Sequence, residues 1–168
     1  MGCGRDSVGG GMKDSGCVCE VVRAILEIQN QATFDDCSGC TTNCFLEPLG
    51  GLVSPARRTA DTRVFTLLTK TGKPFLASFS SDEFVDVCVS IYFRVEDIFD
   101  GCCATLRVLV PLADDLPVDL LSEDGTRVNL RSVCDVNGFV ASDNCITVDL
   151  SCFCAVQCIQ DIDLGICN

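Results

Sequence analysis

Cysteine is the residue type that could do the most chemistry in this chain. There are 15 cysteines among 168 residues, a density typical of small oxidised proteins, although a chain of this length can bury a sizeable core without covalent links. Because the number is odd, at least one thiol must stay free, bind a metal or pair with another chain. We consider every cysteine a candidate for a disulfide or a cross-link: Cys3, Cys17, Cys19, Cys37, Cys40, Cys44, Cys88, Cys102, Cys103, Cys134, Cys145, Cys152, Cys154, Cys158 and Cys167.

The cluster Cys37-Ser-Gly-Cys40, followed by Cys44, is compatible with three kinds of site. A thioredoxin-like redox motif would need a βαβ setting, which the flanking sequence lacks. A zinc site would need a fourth ligand from elsewhere, because three thiolates do not complete a tetrahedral site. Structural disulfides, within or between chains, are the third interpretation and the one that we favour.

Strand geometry restricts how neighbouring cysteines can pair. On one strand, Cys152 and Cys154 would lie roughly 6.6 Å apart along one face, whereas the Cβ atoms of a disulfide lie about 3.8 Å apart. The adjacent residues Cys102 and Cys103 would point to opposite faces. The members of each pair are therefore predicted to use separate partners.

A different role is open to the C-terminal cysteines. Cys152, Cys154 and Cys158 share one predicted strand face with aliphatic residues, so they could be small hydrophobic residues of the core. Cys145 falls on the opposite face, which favours a cross-link at this residue.

Several enzyme and metal-site classes are disfavoured by composition. The chain has no histidine, which removes Ser-His and Cys-His nucleophile pairs and any zinc site that needs imidazole. The acidic pairs Asp35-Asp36 and Asp114-Asp115 are interpreted as solvated loop residues, and no EF-hand-like spacing of oxygen ligands occurs. We therefore predict no catalytic residues, no cofactor and no metal site, and a protein that is not an enzyme.

Charge and hydropathy restrict the partners and the compartment. The net charge of −12 disfavours nucleic acid as a partner, because nucleic-acid binding needs a basic surface. No apolar run is long enough for a membrane span or a signal peptide, and Asp6 stands where a myristoylation signal has Ser or Thr. We expect synthesis in a reducing cytosol, which conflicts with so many cysteines unless oxidation comes later.

The elements that must position these thiols begin with a helix. Residues 1–16 contain three consecutive glycines and are predicted to be a flexible arm. Val18, Val22 and Ile25 recur on one face, which predicts a helix at about residues 18–31. Residues 33–62 are interpreted as an irregular connector, and residues 17–168 as a single cysteine-rich structural domain.

Alternating polar and apolar residues predict β structure from residue 63 to about residue 160. Two strand-like runs, 63–70 and 74–80, flank Thr71-Gly72, a predicted hairpin turn. The six or seven predicted strands favour a mainly β fold, an antiparallel sandwich or barrel-like domain with one N-terminal helix. The other predicted strands are residues 89–96, 104–110, 126–133 and 145–158, with an acidic loop at 114–123 and a bend within the long last run.

The last run also carries a family resemblance. Cys145-Ile-Thr-Val-Asp-Leu-Ser-Cys-Phe-Cys-Ala-Val-Gln-Cys158 resembles the C-terminal hallmark of the spore coat protein Z family, the coat and exosporium proteins called CotY, CotZ and ExsY. Three earlier stretches resemble the family in the same order, and the resemblance spans about residues 17–159. These stretches are Cys17-Val-Cys19, Ile91-Tyr-Phe-Arg-Val-Glu96 and Cys102-Cys-Ala-Thr-Leu106.

The resemblance implies a structural component of the outer coat or exosporium of an endospore. Such proteins are made in the mother-cell cytosol, assemble with themselves and with other coat or exosporium proteins into two-dimensional lattices, and are then locked by disulfides. This order would explain a cytosolic chain with many cysteines. From the residues alone, the alternative is a cytosolic metal-thiolate (zinc) or redox-sensing module, whereas a secreted binding domain is disfavoured by the missing signal segment.

Bonds between chains are expected mainly in the N-terminal segment. Cys3 lies on the predicted arm, which can adapt to a neighbour. Cys17 and Cys19 lie at the helix start, where the helix dipole favours the reactive thiolate. The alternative is that Cys17 and Cys19 bond to the connector cysteines within one chain.

Overall fold

The fold combines one long helix with a curled antiparallel sheet. The structure is a computed structural model, and it describes residues 17–31, 60–80, 88–99 and 102–166. The predicted arm and most of the predicted connector, with Cys3, Cys37, Cys40, Cys44 and Cys167, lie outside these residues. The elements are α1 (Cys17–Gln31), β1 (Thr62–Thr69), β2 (Ala77–Ser78), β3 (Val89–Ser90), β4 (Phe93–Ile98), β5 (Cys103–Ala113), β6 (Leu116–Pro117), α2 (Leu130–Asp135), β7 (Gly138–Asp149), a 3₁₀ turn (Leu150–Cys152) and β8 (Phe153–Ile162).

Helix α1 forms where the apolar spacing predicts it. Val18, Val22 and Ile25 are buried on one face together with Cys19, and Glu20 provides an acidic side chain in the first turn. The buried face packs against β1, β4 and β8. Neither helix of the described residues is long and apolar enough to cross a membrane.

The strand order explains why the sheet curls. The ladders run β7-β5-β4-β1-β8, with the short β6 beside the end of β5. Strands β7 and β8 therefore lie at opposite ends of this order, yet only the three-residue turn Leu150–Cys152 separates them in the chain. The sheet must bend until its two ends are close. The mainly antiparallel β fold with one N-terminal helix agrees with the sequence prediction.

Two hydrophobic clusters lie on opposite faces of this sheet. The larger cluster joins the apolar face of α1 to side chains such as Phe65, Phe93 and Leu106. Residues at alternate positions, including Val64 and Tyr92, belong to the second cluster. Segment 118–136 covers this second cluster with partly buried valines.

Two of the predicted strands are shorter than the sequence indicates. The turn at Thr71-Gly72 forms, with Gly72 at φ 75° and its N–H donating to the Thr69 carbonyl. After the turn, only a bridge between Leu68 and Pro74 joins β1, because the chain then leaves to pair β2 with β3. The predicted strand 89–96 is divided into β3 and β4 at Ile91 and Tyr92, whose side chains enter the second cluster.

The strand predicted at residues 126–133 is wrong. Residues 130–135 form helix α2 instead. The side chain of Asn129 accepts a hydrogen bond from the backbone N–H of Arg131 at 3.0 Å, which caps the helix. A local cap therefore outweighs a weak alternation of side chains.

The long run 145–158 bends as predicted. The 3₁₀ turn separates β7 from β8, and the Asp149 side chain caps it by accepting from the Ser151 N–H at 2.8 Å. Beyond the turn, the register between β1 and β8 shifts so that Thr69 faces Phe153 and Leu68 faces Ala155. Cys154 is the extra residue of this bulge.

Candidate cross-linking site

One buried disulfide joins the helix to the sheet. Cys19 of α1 bonds to Cys102, which directly precedes β5, with a Cα–Cα distance of 5.7 Å. Cys19 is buried because it shares a face with Val22, and Cys102 is 7% exposed. Cys102 adopts a positive φ of 70°, which turns the chain into β5. The bond closes a sequence separation of 83 residues.

This pairing corrects two expectations for Cys19. The sequence predicted a bond from Cys19 to a neighbouring chain or, as the alternative, to the connector cysteines. The structure pairs it with Cys102 inside one chain. Sequence spacing alone did not bring these two residues together, because the contact depends on how α1 packs across the sheet. Cys17 is the first residue of α1.

The three C-terminal cysteines do not share one role. Cys152 and Cys158 are disulfide-bonded, whereas Cys154 is a free, exposed thiol. Cys152 and Cys154 therefore do not bond each other, which the strand spacing predicted. The interpretation of all three as inert core residues is wrong, because the bulge turns Cys154 outward, where its S–H donates to the Thr69 carbonyl at 3.0 Å.

Five cysteines of the described residues are free thiols. Cys103 follows the disulfide-bonded Cys102 and is a free, half-buried thiol, so it does not use the separate partner that the sequence predicted. The other four are exposed: Cys88, Cys134, Cys145 and Cys154. In the described part of the chain, no group of three or more cysteines and carboxylates is placed to hold a metal ion.

Cys145 lies beside a charged network formed by side chains of β4 and β5. It stands directly opposite Arg107 in the ladder between β7 and β5. The Arg107 Nε donates to the Glu96 carboxylate at 2.6 Å, and Glu96 also accepts from the Arg94 Nε at 3.2 Å. This hydrogen bond to Glu96 raises the pKa of Arg107 against the opposing effect of burial, and Cys145 and Asp143 add to the rise. The Cys145 thiol therefore faces a guanidinium that stays charged.

Cys134 has an aromatic neighbour. It lies on α2, which covers the second cluster, and Tyr92 of that cluster packs edge-to-face against Phe139 with ring centroids 4.8 Å apart. Burial raises the pKa of Tyr92, and the charge of Cys134 raises it further. The two groups therefore interact electrostatically.

Buried polar contacts hold the frame that carries these thiols. Arg63 and Asp161 stand opposite each other on β1 and β8 and form a bidentate ion pair with distances of 2.7 and 2.8 Å, with both side chains fully buried. Gln29 of α1 accepts from the Arg63 backbone N–H and donates to the Val95 carbonyl, both at 3.1 Å. Strands β1 and β4 pair directly only at Phe65 and Phe93. The two hydrogen bonds of Gln29 therefore connect β1 to β4 beyond that pair.

Asp61 anchors the last described residues to the start of β1. Its carboxylate accepts from the backbone N–H groups of Leu164 at 2.9 Å and Ile166 at 2.8 Å. It also accepts from the Thr62 hydroxyl at 2.8 Å. Burial, the largest effect, would raise the pKa of Asp61, but these hydrogen bonds and the charge of Arg94 lower it below its usual value.

The described cysteines fall into two groups, those bonded in disulfides and those that are free. Among the described residues, Cys19, Cys102, Cys152 and Cys158 are disulfide-bonded, whereas Cys88, Cys134, Cys145 and Cys154 are free and exposed. Exposed thiols can exchange with other disulfides, since the reaction requires access to the sulfur atom. Sequence reasoning missed the supporting polar residues Gln29, Arg63 and Asp161, because single charged or amide residues within an apolar helix or strand carry no pattern.

Known proteins are similar in sequence to nearly the whole chain. Residues 1–161 match the family described as Spore coat protein Z. A protein named Spore coat protein Z from Bacillus subtilis (strain 168) is 32% identical over 151 residues, which cover 88% of this chain and 91% of that protein. No solved structure matches the chain. The family match includes every cysteine whose state is described above.

Proposed function

The chain belongs to the spore coat protein Z family, and from this premise we propose that it is a building block of the outer coat or exosporium that assembles with itself into a two-dimensional lattice. Family membership places it in the spore coat, made in the mother cell. Disulfides between chains then lock the lattice, and other coat or exosporium proteins bind to it.

The observation that carries this proposal is the family match over most of the chain, and the state of the cysteines supports it. A chain whose core already contains a disulfide still presents four exposed free thiols among its described residues. These thiols are available for bonds to other chains without opening the fold.

Assembly is expected to precede oxidation. Disulfides form wherever thiols collide, so cross-linking without prior order would give an amorphous aggregate. Non-covalent contacts between copies should therefore set the lattice, with a repeating interface that the symmetry of the assembly determines. In a reducing cytosol the lattice would form first, and later oxidation would make it permanent.

Electron microscopy of the purified full-length chain, with and without a reducing agent, tests this proposal. We expect ordered sheets in both conditions, and high-mass bands on non-reducing gels only after oxidation. The reduced sheets should dissolve at lower denaturant concentration than the oxidised ones. Soluble monomers in both conditions, or release of bound zinc by a thiol reagent, would contradict a coat function and favour a metal-thiolate module.

A further inference from the structure

We propose that the exposed thiols of Cys88, Cys134, Cys145 and Cys154 are the groups that cross-link the chain to further copies of itself. This inference rests on the proposed function and identifies the bonds that lock the lattice. It also differs from the sequence prediction, which placed these bonds on the N-terminal segment. The four residues are called the surface thiols below.

The surface thiols are set apart from the other described cysteines by their state. Cys19, Cys102, Cys152 and Cys158 are disulfide-bonded. The surface thiols are free and exposed. Cys103 is free but half-buried between neighbouring strands, so a second folded chain reaches it less easily.

The position of each surface thiol is fixed by ordered backbone. Cys88 directly precedes β3, and its carbonyl accepts from the Phe79 N–H at 2.9 Å. Cys145 lies within β7 opposite Arg107. Cys154 is fixed at the bulge of β8 by the hydrogen bond from its S–H to the Thr69 carbonyl. A thiol on a rigid element bonds only where the lattice places a matching thiol, because disulfide geometry tolerates little deviation.

The distribution of the surface thiols gives each chain a covalent valence above two. They lie on different elements: Cys88 beside β3, Cys134 on α2, Cys145 on β7 and Cys154 on β8. A subunit with one linking group can form only dimers, and a subunit with two forms only lines or rings. Cross-linking across a two-dimensional lattice of subunits needs at least three bonds per subunit. Four separately placed thiols can supply them.

The bond can form by exchange with a small disulfide such as oxidised glutathione. The thiolate of one surface thiol attacks a sulfur of the small disulfide, forming a mixed disulfide and releasing one small thiolate. A surface thiolate of a second copy then attacks the protein sulfur of the mixed disulfide and displaces the second small thiolate. Two protein thiols are oxidised, one small disulfide is reduced to two thiols, and the protons of the protein thiols pass to solvent or to the released thiolates.

The test replaces all four surface thiols in the full-length chain: Cys88→Ser/Cys134→Ser/Cys145→Ser/Cys154→Ser. The matched control is Cys3→Ser/Cys103→Ser, which removes a cysteine of the predicted arm and the half-buried thiol. Each protein is assembled under reduction, oxidised with glutathione disulfide and run on non-reducing denaturing gels. We expect at least a tenfold loss of bands above the monomer in the four-residue variant and an unchanged ladder in the control.

Isotope mixing checks the same inference on the wild-type chain. Equal amounts of ¹⁴N- and ¹⁵N-labelled protein are assembled together, oxidised and digested for mass spectrometry. Mixed-isotope disulfide peptides should contain the surface thiols. Mixed-isotope peptides confined to other cysteines, or a full ladder in the four-residue variant, would overturn the inference. Ordered sheets in the electron microscope would still support the coat function in that case. If wild-type chains form no sheets, the proposed function itself fails.

Valence can be measured separately with variants that keep one or two surface thiols. Chains that keep only Cys145 should stop at covalent dimers, whereas chains that keep Cys145 and Cys154 should give longer oligomers. Equal ladders from both variants would show that other cysteines form the bonds.

Discussion

At the scale of single residues, charged groups are placed where they stabilise the frame. The Arg63–Asp161 pair is taken fully out of water, and removing either partner would break a buried ion pair, at a cost of about 3–5 kcal/mol. Because Arg63 also donates its backbone N–H to Gln29, the pair connects β1, β8 and α1. A pair of opposite charges here excludes any other alignment of β1 with β8, since a shifted register would separate them.

Asp61 predicts how acid acts on the chain. In the folded state its pKa lies below the usual value of 3.8, so its carboxylate stabilises the fold above the unfolded pKa of about 3.9 and loses this effect as the pH falls through the folded value. Asp61→Asn should therefore lower the free energy of unfolding at pH 7 by about 1.5 kcal/mol, from the loss of charged hydrogen bonds. Urea unfolding between pH 7 and pH 2.5 measures this difference.

The difference between wild type and Asp61→Asn should shrink as the pH falls toward the lower end of that range. Asp135→Asn serves as the control, since Asp135 is an exposed carboxylate at the end of α2. A constant difference at every pH would show that Asp61 acts through packing rather than through its charge.

At the scale of elements, the disulfide between Cys19 and Cys102 determines how firmly α1 stays on the sheet. Without it, the helix is held by its apolar face and by the Gln29 hydrogen bonds. Cys19→Ser/Cys102→Ser should lower the free energy of unfolding by about 2–5 kcal/mol, because the link closes a long loop in the unfolded chain. Chemical unfolding followed by circular dichroism measures the loss, with Cys134→Ser as the control at an exposed free thiol. Equal stability of the two variants would contradict the prediction.

The elements also show what sequence patterns could and could not predict. Helix α1, the turn at Gly72 and the bend after Asp149 were predicted because each depends on local spacing or length. The bulge that turns Cys154 outward and the break at Ile91 depend on partner strands and on the second cluster, which periodicity does not reveal. Similarly, alternation predicted a strand where the Asn129 cap starts a helix.

The pairing of Cys19 with Cys102 could not be predicted from the sequence for a related reason. The strand pattern correctly separated Cys102 from Cys103, but it could not tell which of 15 cysteines would face either one. Only the crossing of α1 over the sheet brings the two sulfur atoms together. Local geometry therefore predicted correctly which cysteines do not bond each other, but it did not predict which cysteines do.

At the scale of the whole molecule, net charge opposes assembly. Each copy carries a charge of −12, and like charges repel strongly at low ionic strength. Raising sodium chloride from about 0.01 M to 0.15 M shortens the screening length from about 30 Å to about 8 Å. We therefore expect assembly of the reduced chain to begin at a several-fold lower protein concentration at the higher salt, measured by light scattering. Sucrose of matched osmolality is the control, and slower assembly at high salt would indicate ion pairs between copies.

The pairing of β1 with β8 has a consequence for biosynthesis. A ribosome makes Thr62 early, but its ladder partner Ile162 is added a hundred residues later. Contacts between such distant residues form slowly and only once both segments are available. A nascent chain therefore lacks one edge of β1, and the Asp161 side chain that pairs with Arg63, until β8 has been made. If the chain assembles as proposed, growth of a coat would then draw on subunits that already contain β8, and a truncated chain that ends before β8 should fail to join it.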